Sequence, residues 1–221
     1  MQETEDLPAI DPCMMLRLRL EACRIDRKFS DRPEPLPDQA IMPCLSSELA
    51  GGPKFAQVRI AVGSNALFFQ ADVQGKSVLP WCRDSRLEDS DGLHVWIDTR
   101  PSADSHRATK FCSSFTFMPM GRGPRADLPF AGWVPIQRAR SSPSPPPDDL
   151  LAIRARIADG KYRLVSAIHF EALPGLDLND FPEVAIYFAV LDRELGCQSL
   201  SLNPEPAVTE NPSLWSKLVL T

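Results

Sequence analysis

Proline constrains this chain more than any other residue type. Of 221 residues, 22 are proline and only 11 are glycine, which puts proline at about twice its usual share. A proline in a helix interior costs ~3 kcal/mol, so a helical bundle is excluded. Glycine is too scarce, and lacks the period of three, for a collagen-like chain. What remains is a set of short strands joined by proline-rich connectors, in a chain long enough to bury a full core.

Alternation of apolar and polar residues supports that reading, and long helical periodicity is missing. Leu16, Leu18, Leu20 and Ala22 alternate with Arg17, Arg19 and Glu21, as in an amphipathic strand. Val58, Ile60 and Val62 share a face, as do Leu67, Phe69, Ala71 and Val73, with Gly63-Ser64-Asn65 as the turn of a hairpin. Leu93, Val95 and Ile97 share a face opposite His94 and Trp96. Phe111, Phe115 and Phe117 mark a further strand before Met118-Pro119, and 119–150 reads as mostly connector. A second hairpin runs from Ile153 to Phe170 around Asp159-Gly160. Glu183 to Leu191 is the most continuously apolar run and should lie centrally. Gln198 to Leu202 and Leu214 to Leu220 complete about nine strands. The expectation is an all-β antiparallel sandwich of jelly-roll or immunoglobulin-like architecture, one domain over 13–221 with a loose tail at 1–12.

The formal net charge is −5 and the basic residues are 18 Arg and 6 Lys, so no basic field invites nucleic acid. No apolar run is long enough for a membrane span, and the acidic N-terminus has no secretory h-region. Without an export signal, a cytoplasmic protein with six reduced cysteines (Cys13, Cys23, Cys44, Cys82, Cys112, Cys197) is expected. No C-x-x-C pair points to a zinc site, and the even count leaves disulfides open if the chain is exported by another route.

Four stretches and a terminal strand resemble, in order, the family 9 carbohydrate-binding modules and the wider DOMON-like sandwiches. They are FAQVRIAVGSNALFFQADVQGK, DGLHVWID, GKYRLVSAIHFEAL, EVAIYFAVLDRE and NPSLWSKLVL, covering about 54–221. The resemblance implies a sandwich that binds sugars between two tryptophans, with polar side chains reading hydroxyls. Trp81 lies in the loop that carries one of those tryptophans. Where the second belongs, this chain has PAVTENPS and no aromatic. Trp215 lies later and is expected in the core. His94 replaces the usual Glu, and Ala189 stands where the family can place a polar contact.

Trp81 with Trp133 is therefore the candidate aromatic clamp, with Arg83, Asp84 and His94 as polar neighbours. Both tryptophans are read as loop residues. Glu88, Asp89 and Asp91 are the one place where calcium could be held, although the EF-hand spacing is absent; no cofactor is otherwise expected. His94, His106 and His169 form no metal or nucleophile motif. Met118 and Met120 give little support to a haem site. The chain's local excess of positive charge, from Arg100 and Arg107 through Arg122 to Arg140, is most simply solvated loop. The sequence thus points to a non-catalytic module whose partner is a glycan or small sugar. The alternative is a structural or protein-interaction sandwich that has lost the sugar site.

Overall fold

Alternating strands close into two facing sheets. The computed structural model describes residues 16–102, 104–202 and 206–220; the expected tail, 1–12, and Cys13 lie outside them. In chain order the strands are β1 (Arg19–Glu21), β2 (Cys23–Arg24), β3 (Ala56–Val62) and β4 (Ala66–Gln74). Then come β5 (Gly92–Asp98), β6 (Cys112–Arg122), β7 (Leu128–Val134) and β8 (Leu151–Ala158). The last are β9 (Lys161–His169), β10 (Glu183–Asp192), β11 (Gly196–Ser199) and β12 (Ser216–Val219). The first sheet has the order β1-β12-β10-β5-β6-β7, with β11 also on β10; the second is β2-β3-β4-β9-β8. Among the described residues, helix is limited to two short α-turns, α1 (Leu45–Glu48) and α2 (Pro206–Glu210), and a few 3-10 turns. No helix among the described residues is long and apolar enough to cross a membrane.

The alternation places the core. Val58, Ile60, Leu67, Phe69 and Leu164 face inward from the second sheet, and Leu93, Val95, Ile97, Phe115, Phe117 and Phe188 from the first. Phe69 and Phe117 stack across the gap with ring centroids 6.0 Å apart. Each buried phenylalanine contributes about 1.5–3 kcal/mol. As expected, β10 is central, bonded to β5 on one side and to β12 and β11 on the other. Trp215 is buried, and its indole N–H donates to the Val208 carbonyl at 2.6 Å.

Several sequence expectations need correction. The described residues form twelve ladder segments rather than nine. The first amphipathic run does not stay in one sheet. After β1 pairs parallel with β12, the chain crosses at Ala22 and β2 pairs parallel with β3, so one segment seals an edge of each sheet. Strand β6 runs through Pro119 to Arg122, because the proline falls where the ladder register shifts between Met118 and Arg122. The stretch 119–150 is not all connector: β7 lies inside it, at the edge of the first sheet, where Pro129 is tolerated. The proline-rich segment at 33–41 is a strap over the outer face of the second sheet. Leu36 and Ala40 pack there with Phe68, Ala61 and Ala167, and the Leu36 N–H donates to Gln70 Oε1 at 2.8 Å.

One glycine fixes the entry to β5. Gly92 has φ 151°, and a Cβ there would sit 2.2 Å from the Phe117 carbonyl oxygen across the ladder. Gly92→Ala should therefore cost about 2 kcal/mol of stability. Urea unfolding checks this; an unchanged midpoint would mean that the β5–β6 pairing does not hold the backbones this close.

Candidate functional site

The residues of β5 that point away from the core have no sheet to cover them. His94 and Trp96 stand on this outward face, and register places Thr116 and Ser114 of β6 beside them. On the other side the partners are Ala189 and Tyr187 of β10. Together these form the floor of a cleft of about 400 Å³. Pro135, Ile136 and Gln137 rise beyond β7 as one wall, with Glu88, Asp89 and Thr209 at the mouth.

Trp96 is half-buried and is the dominant apolar surface here. Its ring lies 5.1 Å from Tyr187 and 6.2 Å from His94, nearly parallel to the latter at 23°. Tyr187 is buried beneath, and burial pushes its phenol up to about 12 even though Ser199 and Ser201 bond to it. An aromatic face so supported is rigid and suited to the C–H face of a sugar ring. The exposed Gln137 amide supplies a polar group nearby. The buried Ser114 hydroxyl, which donates to the Val134 carbonyl at 2.9 Å, and that of Thr116 offer only their lone pairs.

His94 is locked. Its Nε2 is 2.9 Å from the Ser90 carbonyl oxygen, which can only accept, so Nε2 carries the proton. Nδ1 then accepts from the Thr116 hydroxyl at 3.0 Å. Burial drives the imidazole down to about 4, outweighing the Ser90 carbonyl and the charges of Asp89 and Glu88, which push it up. The ring is neutral at ordinary pH and gives the cleft no positive charge. None of the lining side chains is Lys or Arg. The mouth is acidic, with Asp89 paired to Arg86.

The other expected site residues lie elsewhere. Trp81 is half-buried in the 76–91 loop and does not line this cleft. The Arg193 guanidinium stacks 3.7 Å from its ring centroid and that of Arg83 lies 5.1 Å away. Arg83 and Asp84 are exposed on the same loop. Trp133 belongs to β7, not to a loop, and this is a correction with a register cause. It pairs with Phe115, so it shares the core-facing side and packs against the core. Its indole nitrogen is buried without a hydrogen-bond partner. Of the five residues expected from the sequence, only His94 lines the cleft. Trp96 and Tyr187 were missed, although the alternation of DGLHVWID had already put Trp96 on the face opposite Leu93, Val95 and Ile97.

The acidic string does not converge on one point either. Asp91 turns inward, while Glu88 and Asp89 stay exposed. Among the described residues, no three His, Cys, Asp or Glu side chains are grouped to hold a metal ion. None of the five described cysteines is in a disulfide; burial pushes Cys44 and Cys197 up to about 11, and Cys82 and Cys112 up to about 12.

No family model matches the chain, and no curated protein matches it in sequence. Solved structures do match. A carbohydrate-binding module of family 9 from Caldicellulosiruptor kristjanssonii, in complex with cellotriose, superposes with a TM-score of 0.57 at 13% identity, over 92% of this chain and 93% of that one. The same kind of module with glucose gives 0.55 at 11% identity, over 92% and 95%. A candidate carbohydrate-binding protein from Bacteroides uniformis gives 0.59 at 13% identity, over 92% and 99%. The fold is that of the family 9 carbohydrate-binding modules.

In this family 9-like sandwich, three of the stretches that carried the resemblance meet at one buried cluster. Lys76 closes the first, Asp91 opens the second, and Asp192 stands near the end of the fourth, two residues before Glu194. The Lys76 ammonium, with its side chain 3% exposed, lies 2.7 and 2.8 Å from the two Asp192 oxygens and 3.5 Å from Asp91 Oδ2. It also pairs with Glu194 at 3.3 Å. Asp91 accepts from the Trp81 and Arg193 backbone N–H groups, each at 2.8 Å, so this cluster also pins the loop that carries Trp81. Burial alone would lower the Lys76 ammonium; the hydrogen bond and charge of Asp192, then Asp91 and Glu194, hold it raised.

Proposed function

We propose that this chain is a non-catalytic binding module that holds an uncharged sugar in the cleft on the outward face of the first sheet. The observation that carries this reading is Trp96, a half-buried ring backed by Tyr187 and His94 and flanked by Ser114, Thr116 and Gln137. The absence of Lys and Arg from the lining argues against an anionic ligand. His94 spends both ring nitrogens inside the protein, so it acts through its face and by fixing Thr116, not as a reader of hydroxyls. The matching modules crystallised with cellotriose and glucose support uncharged glucans as the first ligands to try. Trp81, with two guanidiniums against its ring, serves the loop rather than the ligand.

Trp96→Ala should weaken binding of soluble gluco-oligosaccharides about tenfold or more, equivalent to about 1.4 kcal/mol. Trp96→Phe should retain most of the affinity, and Trp81→Ala should leave it within about twofold. Calorimetry on folded variants decides. Loss of binding in Trp81→Ala with none in Trp96→Ala would move the site to the loop. If wild type takes up no glycan and instead captures one stoichiometric protein partner, the interaction-domain reading replaces this one. The locked imidazole and the missing second loop tryptophan favour that alternative.

A further inference from the structure

The outer face of the second sheet carries a different chemistry. On the β8–β9 hairpin, register aligns Asp72 of β4, Arg163 of β9 and Arg156 of β8 in one row across three strands. Lys161 precedes Arg163 by two residues and Arg154 precedes Arg156 by two, so all four cations share this face. A pocket of about 360 Å³ opens there, lined by Asp72, Gln74, Arg156, Lys161 and Arg163 among others. In a protein of net charge −5, this is a concentrated cationic surface. It is also distinct from the loop arginines the sequence had singled out. Those are dispersed among local partners: Arg100 over Phe181, Arg122 over Phe130, and Arg107 on the Arg138 carbonyl.

The single acid in the row is already engaged. Asp72 accepts from Arg59 at 2.6 Å, from Gln70 at 2.5 Å and from Nε of Arg163. That last bond orients the Arg163 guanidinium while leaving its terminal nitrogens unbonded among the described residues. Arg156, Arg154 and Lys161 have no ion pair there. Arg156 stands directly opposite Arg163, with about 4.5–5.5 Å between Cβ atoms for such a pair, and like charges so placed repel. An oxyanion between them removes the repulsion, and a guanidinium held at Nε presents its remaining N–H groups as a planar fork.

We propose that this pocket binds an oxyanion, the sulfate or phosphate ester of an acidic polysaccharide. The proposal stands apart from the cleft on the first sheet and does not depend on it. The pocket is larger than a bare ion needs, and four cations along a strand pair suit a repeating anionic chain.

The test is titration of the full chain with a sulfated polysaccharide (heparin), uncharged dextran, inorganic phosphate and a single-stranded oligonucleotide. The expected result is heparin binding that weakens as salt rises and requires Arg156, whereas any uptake of dextran, an uncharged glucan open to the cleft of the first sheet, depends on neither. Arg156→Gln should weaken it about tenfold, and Arg156→Gln with Arg163→Gln should abolish it. Arg156 is exposed and makes no hydrogen bond or ion pair among the described residues, so its variant should stay folded even if loss of Arg163 frees Asp72. Binding of inorganic phosphate with the same variant dependence, and not of heparin, upholds the oxyanion site and assigns it to a free phosphate. Heparin binding that is insensitive to salt or unaffected by Arg156→Gln, or uptake of neither heparin nor inorganic phosphate, overturns the proposal. So does tighter, equally Arg156-dependent uptake of the oligonucleotide, which would make the face a nucleic-acid surface.

Discussion

Replacing Lys76 with methionine is expected to remove about 3–5 kcal/mol of stability, because it leaves buried carboxylates without their cation. Asp192 is wholly enclosed and Asp91 nearly so, their side chains 0% and 2% exposed, and the ammonium is the cation that joins them. Two further bonds, from the backbone N–H groups of Glu194 and Leu195 to Asp192 Oδ1 at 3.0 Å, turn the chain from β10 toward β11. The loss should therefore be felt at both the 76–91 loop and the β10–β11 turn. Urea unfolding measures it. A second variant separates the pair from general damage: Lys76→Met with Asp192→Leu should recover part of the loss, since an apolar replacement for a buried ion pair is often neutral. A Lys76→Met protein within about 1 kcal/mol of wild type would show that water reaches the cluster.

The second large effect is an acid-dependent loss governed by His94. Its folded value, about 4, lies below the ordinary 6.5 that the unfolded chain keeps. The unfolded state therefore takes up the proton first as pH falls. The contribution of this site is whole above about pH 6.5 and is lost progressively down to about pH 4, amounting to about 3 kcal/mol. Other groups titrate lower. Hydrogen bonds from Ser77, side chain then backbone, hold the Glu194 carboxyl down to about 2, so its contribution persists above about 4.5 and fades as pH falls toward 2. Burial raises Asp91 and Asp98, which acts in the opposite sense. The difference between wild type and His94→Gln isolates the histidine. The variant should be the less stable protein at pH 7 and lose less on moving to pH 4.5. Parallel pH profiles for the two proteins would contradict the burial of this ring.

Much of the sandwich was legible because alternation is a strong local signal. Both hairpins, the strand DGLHVWID and the central strand at β10 lie where their patterns put them. Strand β7 was hidden because LPFAGWV holds a proline and a glycine and, at a sheet edge, alternates weakly in burial. Missing it made Trp133, a half-buried strand residue packed against the core, look like a loop residue. The Lys76 cluster was out of reach for another reason: Lys76 and Asp192 are separated by 116 residues and meet only through topology. The cleft was half legible. Trp96 stood on the polar face of a recognised strand, but a search for loop tryptophans passed over an aromatic in a sheet. Tyr187 was hidden in a run so apolar that neither of its faces looked like a surface.

The chain's four tryptophans make the central claim directly measurable. Each has one indole N–H signal in a proton–nitrogen correlation spectrum, at Trp81, Trp96, Trp133 and Trp215. With cellotriose added, the Trp96 signal should shift progressively and saturate. Those of Trp215, buried in the core, of Trp133, on the core-facing side of β7, and of Trp81, stacked under arginine, should stay in place. A titration in which the Trp81 indole moves and that of Trp96 does not would contradict the assignment of the cleft as the sugar site.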